Sequence, residues 1–269
     1  MRWWDGANWT ASVIPLTVAG GGQLTPYGSP TDETKKWFPQ VPSLRFPAAI
    51  VAFALVALTV VSNIVIADNP DNTGIALLGL VLLIVNSFGY PLVVFASSYL
   101  WGSRHPVHDL GLKIRAVDFA IGPAGSFVLL VTAIIVGIIV KAIKIPDGSN
   151  LDDVREAGQN AGVFIFMGVM AVIVAPITEE LLFRGMLMRG LSSKVSPNTA
   201  LVIQGVIFGS AHFTLSQGWG NLGLILVLTP LGLWLGWIAR LTGRLWPGML
   251  AHAGFNAAQL VLLWVSMSN

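Results

Sequence analysis

The chain contains no cysteine. That excludes disulfides, thiol nucleophiles, cysteine-ligated metals and cysteine-linked lipids. Charge is also scarce: only 10% of the 269 residues are Asp, Glu, Lys or Arg, against about 25% in an ordinary soluble domain. The net charge is +2, but the basic residues sit in short loops between apolar spans and form no patch, which excludes nucleic acid as a partner. The first long apolar run begins near Pro47, too far in for a secretory signal peptide.

What is present is apolar length. Hydrophobic residues make up 54% of the chain, and a hydrocarbon core about 30 Å thick needs roughly 20 helical residues to cross it. The pattern predicts an all-α, polytopic integral membrane bundle of about seven (seven to eight) transmembrane helices, with the lipid bilayer as its first partner. The predicted spans are Pro47–Ala67, Gly74–Leu100, Asp118–Val140, Ala161 to about Leu191, Pro197–Phe213, Leu222–Ala239 and Trp246–Val265. Pro91 marks a kink or break in the second. The fifth is short and is expected to run on toward Leu215.

Basic residues set the orientation. The tail holds Arg2, Lys35, Lys36 and Arg45; the loop after span two holds Arg104, Lys113 and Arg115. Arg184, Arg189 and Lys194 lie at the end of span four, and Arg240 and Arg244 follow span six. The opposite connections hold Lys141, Lys144 and Arg155, offset by Asp147, Asp152, Asp153 and Glu156. The expectation is a multi-pass protein of a bacterial plasma membrane, N-terminus cytoplasmic and C-terminus outside.

Residues 1–46 read as a flexible, polar cytoplasmic tail, ahead of a transmembrane domain over 47–269. The tail opens Arg2-Trp3-Trp4-Asp5-Gly6, with Trp9-Thr10. This resembles the back half of a short tryptophan-rich motif near the start of many actinobacterial membrane proteins, which would put the true start upstream of Met1. An interfacial aromatic anchor is the other explanation.

The chemistry concentrates where it is most costly. Glu179 and Glu180 end a nearly uncharged run, with Arg184 one turn on; a charge at mid-bilayer costs several kcal/mol. On an antiparallel hairpin turning at Ser192–Pro197, Glu179 and His212 each lie about 16 residues from the turn, roughly 25 Å at 1.5 Å per residue, so they share a depth. His252 and Asn256 are four apart and share a face of the last span. Gly205 and Gly209 lie on the His212 helix, and Gly232 and Gly236 repeat the spacing on the next, favouring close packing. Phe208 stands one turn before His212.

A carboxylate beside an imidazole in a poorly solvated cavity can hold and deprotonate a water. Glu179, His212 and His252 could instead ligate a divalent metal such as zinc; these residues leave open whether any cofactor is used. His252 and Asn256 supply N–H groups for an oxyanion. Arg184 can pair with Glu180, leaving Glu180 a supporting role and Glu179 free to react. Ser210 points away from His212 on a helix, and Asp118, His105 and His108 sit at a span end and in a loop. A proton-coupled transporter would also place Glu and His in the membrane, but paired half-repeats are missing. A non-proteolytic immunity or scaffold protein is the remaining alternative. No His-Glu-x-x-His and no aspartate pair within spans occurs, against zinc site-2 and aspartyl intramembrane proteases.

These residues resemble the CAAX protease and bacteriocin-processing family (CPBP or Abi, type II CAAX prenyl endopeptidase-like). Its Glu-Glu-x-x-x-Arg motif is Glu179-Glu180-Leu181-Leu182-Phe183-Arg184 here; Phe-x-x-x-His is Phe208 to His212; His-x-x-x-Asn is His252 to Asn256. Asp109-Leu110-Gly111-Leu112-Lys113 is similar to a further stretch of that family, so the resemblance covers roughly residues 100–265. It implies an intramembrane metalloprotease-like endopeptidase acting on a peptide or membrane-protein substrate. Glu179 and His212 would activate water, Glu180, Arg184 and Phe208 would support them, and His252 and Asn256 would stabilise the oxyanion or ligate metal.

Overall fold

The structure is a computed structural model and describes residues 44–67, 73–146, 148–149, 151, 154–155 and 160–268, all within one compact unit, Phe38–Asn269. The expectations for the tail before residue 44, and for Asp147, Asp152, Asp153 and Glu156, lie outside the described residues.

Among the described residues there are helices and no strands. An apolar run in lipid must close its backbone hydrogen bonds within itself. The order is α1 (Phe46–Ala67), α2 (Thr73–Ile84), a π-helical turn (Val85–Gly89), α3 (Tyr90–Trp101), α4 (Pro106–Asp109) and α5 (Asp118–Ala142). A fourth rod follows: α6 (Ala161–Val169), a π turn (Met170–Val174), α7 (Ala175–Glu179), a π segment (Glu180–Leu187) and α8 (Met188–Leu191). The chain ends with α9 (Pro197–Ser210), α10 (Gly220–Thr242) and α11 (Trp246–Ser268). The break expected at Pro91 is a π turn directly before it, not an interruption of the rod.

Six rods are long and apolar enough to cross a membrane: Phe46–Ile66, Leu77–Trp101, Asp118–Ala142, Ala161–Leu191, Gly220–Thr242 and Trp246–Ser268. The predicted fifth span is corrected. It is helical only over Pro197–Ser210, 14 residues, or about 21 Å at 1.5 Å per residue. Residues 211–219 complete that passage without regular α-helix.

Hydrogen bonds identify the two ends of the bundle. At one, Arg45 N–H donates to Trp101 O (3.0 Å), Leu245 N–H to Gly111 O (2.9 Å) and Trp246 Nε1–H to Leu112 O (2.8 Å). Arg240 Nη1–H donates to Asn198 Oδ1, joining the start of α9 to the end of α10. At the other end, Ser149 N–H donates to Gln217 Oε1 (3.0 Å), joining the loop after α5 to the segment after α9. Along the described residues the chain therefore runs the length of the bundle seven times, six of them as full-length rods, and the start of α1 and the end of α11 lie at opposite ends.

The first end is stapled by polar groups. Asp118 is fully buried and takes both Arg244 Nε–H (3.0 Å to Oδ1) and Arg115 N–H (2.9 Å). Asp109 accepts from Ser98 Oγ–H (2.5 Å), Ser103 Oγ–H (2.5 Å) and Ser103 N–H (2.8 Å). Burial pushes the Asp109 carboxyl up, but these hydrogen bonds and that from His108 outweigh it and hold it at about 2. Gly111 has φ +69°, left-handed, and a Cβ there would collide with Arg189 and with the Gly243 carbonyl. The Leu-Gly-Leu stretch is thus a docking turn that only glycine fits.

Small residues bring the rods together. α9 packs along α10, and α5 along α11. A Cβ on Gly205 would lie 2.6 Å from Leu233, and one on Gly125 would lie 2.7 Å from Ala251. Ser126 Oγ–H, on α5, donates to Ala251 O of α11 at 2.9 Å. These crossings fix the depth at which His212 and His252 stand.

Candidate functional site

Three segments carry the site. The fourth rod presents Glu179 at the end of α7 and Glu180 at the start of the π segment. Pro176, at the start of α7, lacks the N–H of a regular helical turn, and the π turn Met170–Val174 lies directly before α7. π turns are rare and frequently mark functional sites. α9 begins on a Ser196 cap, whose hydroxyl accepts from Thr199 N–H (3.1 Å), with Pro197 at the first helical position. It ends at Ser210, so His212 stands just past the last turn. α11 carries His252, 6% exposed, and Asn256 on one face.

The two glutamates are sharply different. Glu180 is 0% exposed and accepts from Arg184 Nη1–H at 2.7 Å. Its other oxygen faces Gly248, where an added Cβ would lie 2.8 Å away. Arg184 is also fully buried; its Nη2–H donates to Gly232 O (2.9 Å), and its guanidinium lies 4.5 Å from the Phe208 ring centre. Glu179 is 26% exposed. Its Oε2 is buried and has no hydrogen-bond partner among the described residues.

His252 lies between them. Its Nε2 is 3.9 Å from Glu179 Oε2 and its Nδ1 is 3.5 Å from Glu180 Oε1. His212 Nδ1–H donates to the Phe208 carbonyl at 2.9 Å. A carbonyl only accepts, so Nδ1 carries the proton and Nε2 of the neutral ring holds a lone pair. Phe208 is wedged between the imidazoles, with ring centres 5.1 Å from His212 and 5.9 Å from His252.

Glu179, His212, His252, Asn256 and Phe208 all line one cavity of about 210 Å³. Its walls are otherwise mainly apolar, with Leu228, Leu231, Leu235 and Phe255 on α10 and α11. The predicted side chains therefore converge, and Glu180 and Arg184 stand directly behind them. One expectation is modified: an Asn256 Nδ2–H donates to Ala171 O in the π turn at 2.7 Å, which commits one of its two amide protons. Among the described residues no three His, Asp or Glu side chains are grouped to hold one metal ion.

Sequence reasoning missed two members. Gln204 is fully buried, and its Nε2–H donates to Gly232 O (2.9 Å), the carbonyl that Arg184 also uses. A mid-helix glutamine one turn before Phe208 was the available signal. Gln259, seven residues after His252, also lines the cavity.

Fold and site together define a polytopic helical membrane protein with a carboxylate–imidazole cluster facing an internal cavity. Residues 161–258 match the family described as type II CAAX prenyl endopeptidase Rce1-like, so this segment is similar to that family. The matched range contains Glu179, Glu180, Arg184, Phe208, His212, His252 and Asn256. It begins well after Asp109–Lys113, so the match is narrower than the 100–265 expected. No curated protein and no solved structure matches the chain.

Proposed function

We propose that this chain is an intramembrane endopeptidase that hydrolyses peptide bonds in membrane-associated proteins or peptides, CAAX-like or peptide-maturation substrates among them. The observation that carries the reading is Glu179: it lines the cavity, and its Oε2 has no partner among the described residues and lies 3.9 Å from His252, while Glu180 is already tied to Arg184. A charge left unpaired in a fold that pairs its neighbours is a functional group by default.

The reaction follows from the side chains. A water at hydrogen-bond distance of Glu179 gives its proton to that carboxylate. The His212 Nε2 lone pair accepts the water's other O–H and orients it. The oxygen bonds to the scissile carbonyl carbon, and the electron pair of the C=O moves onto oxygen. His252 Nε2–H, when the ring carries both protons, and the second Asn256 N–H stabilise that oxyanion. Glu180 Oε1 faces the opposite edge of His252, 3.5 Å from Nδ1. The C–N bond then breaks, and the leaving amine takes the proton that Glu179 holds.

Localisation follows the same proposal: a bacterial plasma membrane, with the basic end of the bundle toward the cytoplasm and the end of α11 outside. The deciding experiment compares purified wild type with Glu179→Gln. The variant should retain its fold, lose cleavage, and hold uncut substrate that mass spectrometry identifies. Equal cleavage by the variant ends the proposal.

A further inference from the structure

The cavity holds one amide that the water chemistry does not use. Gln259 lies on α11 at i+7 from His252 and i+3 from Asn256, so the three share one helix face. It is half-buried, and its side chain makes no hydrogen bond to any described residue. Asn256, one turn away, is committed to Ala171 O. Gln259 also lies one residue beyond the segment that the family match covers.

A primary amide in an apolar enclosure has one natural complement. It donates N–H and accepts at C=O, as a peptide unit does. The surrounding leucines and phenylalanine offer nothing else to a substrate backbone, and a peptide N–H or C=O left unpaired there is costly. Seven residues of helix carry Gln259 about 10 Å along α11 from His252. An extended peptide advances about 3.4 Å per residue. A chain with its scissile carbonyl at Glu179 and His252 therefore presents to Gln259 the peptide unit about three residues from the cut. That part of the peptide lies near Leu260, the residue after Gln259, which lines the cavity together with Leu151.

We propose that Gln259 is a substrate-binding residue that grips the backbone of an extended peptide about three residues from the bond being cleaved. The cavity then selects for extended conformation and apolar side chains over that interval. This rests on the endopeptidase reading, and its test separates the two.

The test uses detergent-solubilised full-length protein and a proteome-derived peptide library, with cuts read by mass spectrometry. The best-cleaved peptide is resynthesised as a series in which one backbone amide at a time becomes an ester. An ester removes the N–H donor while keeping the shape. In wild type, one position about three residues from the cut should lose roughly tenfold in kcat/KM, the size expected of one lost hydrogen bond in an apolar site. Gln259→Leu should lose roughly tenfold on the all-amide peptide, mainly through KM, and its ester sensitivity at that position should vanish while the others stay. A purely structural role would lower activity without changing the ester profile, so an unchanged profile in Gln259→Leu overturns the inference. A flat ester profile in wild type overturns it without involving any variant. Cleavage that survives Glu179→Gln, or no cleavage by wild type, instead defeats the peptidase reading and this inference with it.

Discussion

His252 Nε2 lies 3.9 Å from Glu179 Oε2, too far for a direct hydrogen bond and close enough for one water to touch both. The two groups are poised around a third participant rather than bonded to each other. Replacing Glu179 by Gln keeps the shape and removes the base. The expected loss in kcat is a factor on the order of 100 to 10,000, with thermal unfolding little changed. Tm measured beside turnover separates lost chemistry from lost fold.

The ion pair behind the site has the opposite profile. Glu180 and Arg184 are both fully buried and 2.7 Å apart. Removing one partner strands the other charge, and such changes cost about 3–5 kcal/mol. Glu180→Ala and Arg184→Met should each lower stability by that order. The double variant should recover part of it, because no unpaired charge remains, yet stay inactive because nothing then backs His252. Denaturation and turnover of all four proteins form the cycle that tests this.

Gly248 is a third point of attack. A Cβ there would lie 2.8 Å from Glu180 Oε2, so Gly248→Ala must push the carboxylate or its helix aside. Activity should fall while Glu179, His212 and His252 remain in sequence. Gly137, where an added Cβ meets nothing within 4 Å, is the control: Gly137→Ala should be neutral or slightly stabilising, as helix propensity dictates.

At the membrane edge, Asp109 links stability to pH. Its carboxyl is held at about 2 in the folded chain, against about 3.9 when unfolded. Above pH 4 or so both states are ionised and the stabilisation is complete. As pH falls from about 4 toward 2 the unfolded chain binds the proton first, and that stabilisation is lost. Asp109→Asn should lower Tm near neutrality, and its difference from wild type should shrink toward pH 2–3. A difference constant from pH 7 to 3 would refute the linkage.

Because no three described side chains are grouped as metal ligands, the side-chain mechanism predicts that dialysis against a chelator leaves turnover within about twofold, on the scale where tenfold is 1.4 kcal/mol. Element analysis and metal add-back complete the measurement. Activity lost on chelation and restored by one added ion would replace the mechanism given above.

Much of this was legible in the sequence because helices turn spacing into geometry. Glu179 and His212 each lie about 16 residues from the Ser192–Pro197 turn, which fixes their common depth. His252 and Asn256 lie four apart, which fixes their common face. Other features were not legible. Nothing in Gly209-Ser210-Ala211-His212-Phe213 announces that α9 stops at Ser210, since those residues are apolar enough to continue. π turns leave no periodicity that a short window detects, yet one supplies the carbonyl that holds Asn256. Asp118 looked like an ordinary helix-end carboxylate; its partner Arg244 is 126 residues away, a separation local reading does not bridge.

The early end of α9 has a consequence for the surroundings of His212. Hydrolysis consumes water, and hydrocarbon contains almost none. Where the other rods run full length, this passage gives way to residues 211–219, whose amides are closed by turns (Ala211 N–H to Ile207 O, His212 N–H to Gly209 O, Gln217 N–H to Thr214 O) and by one side chain. Asn221 meets some of them, accepting from Thr214 N–H at 2.9 Å and donating to the carbonyls of Thr214 (2.7 Å) and Gly218 (2.9 Å). Beside His212 the protein thus keeps hydrogen-bonded polar turns where a seamless greasy helix would have stood, at the end of the bundle where Gln217 meets the loop after α5.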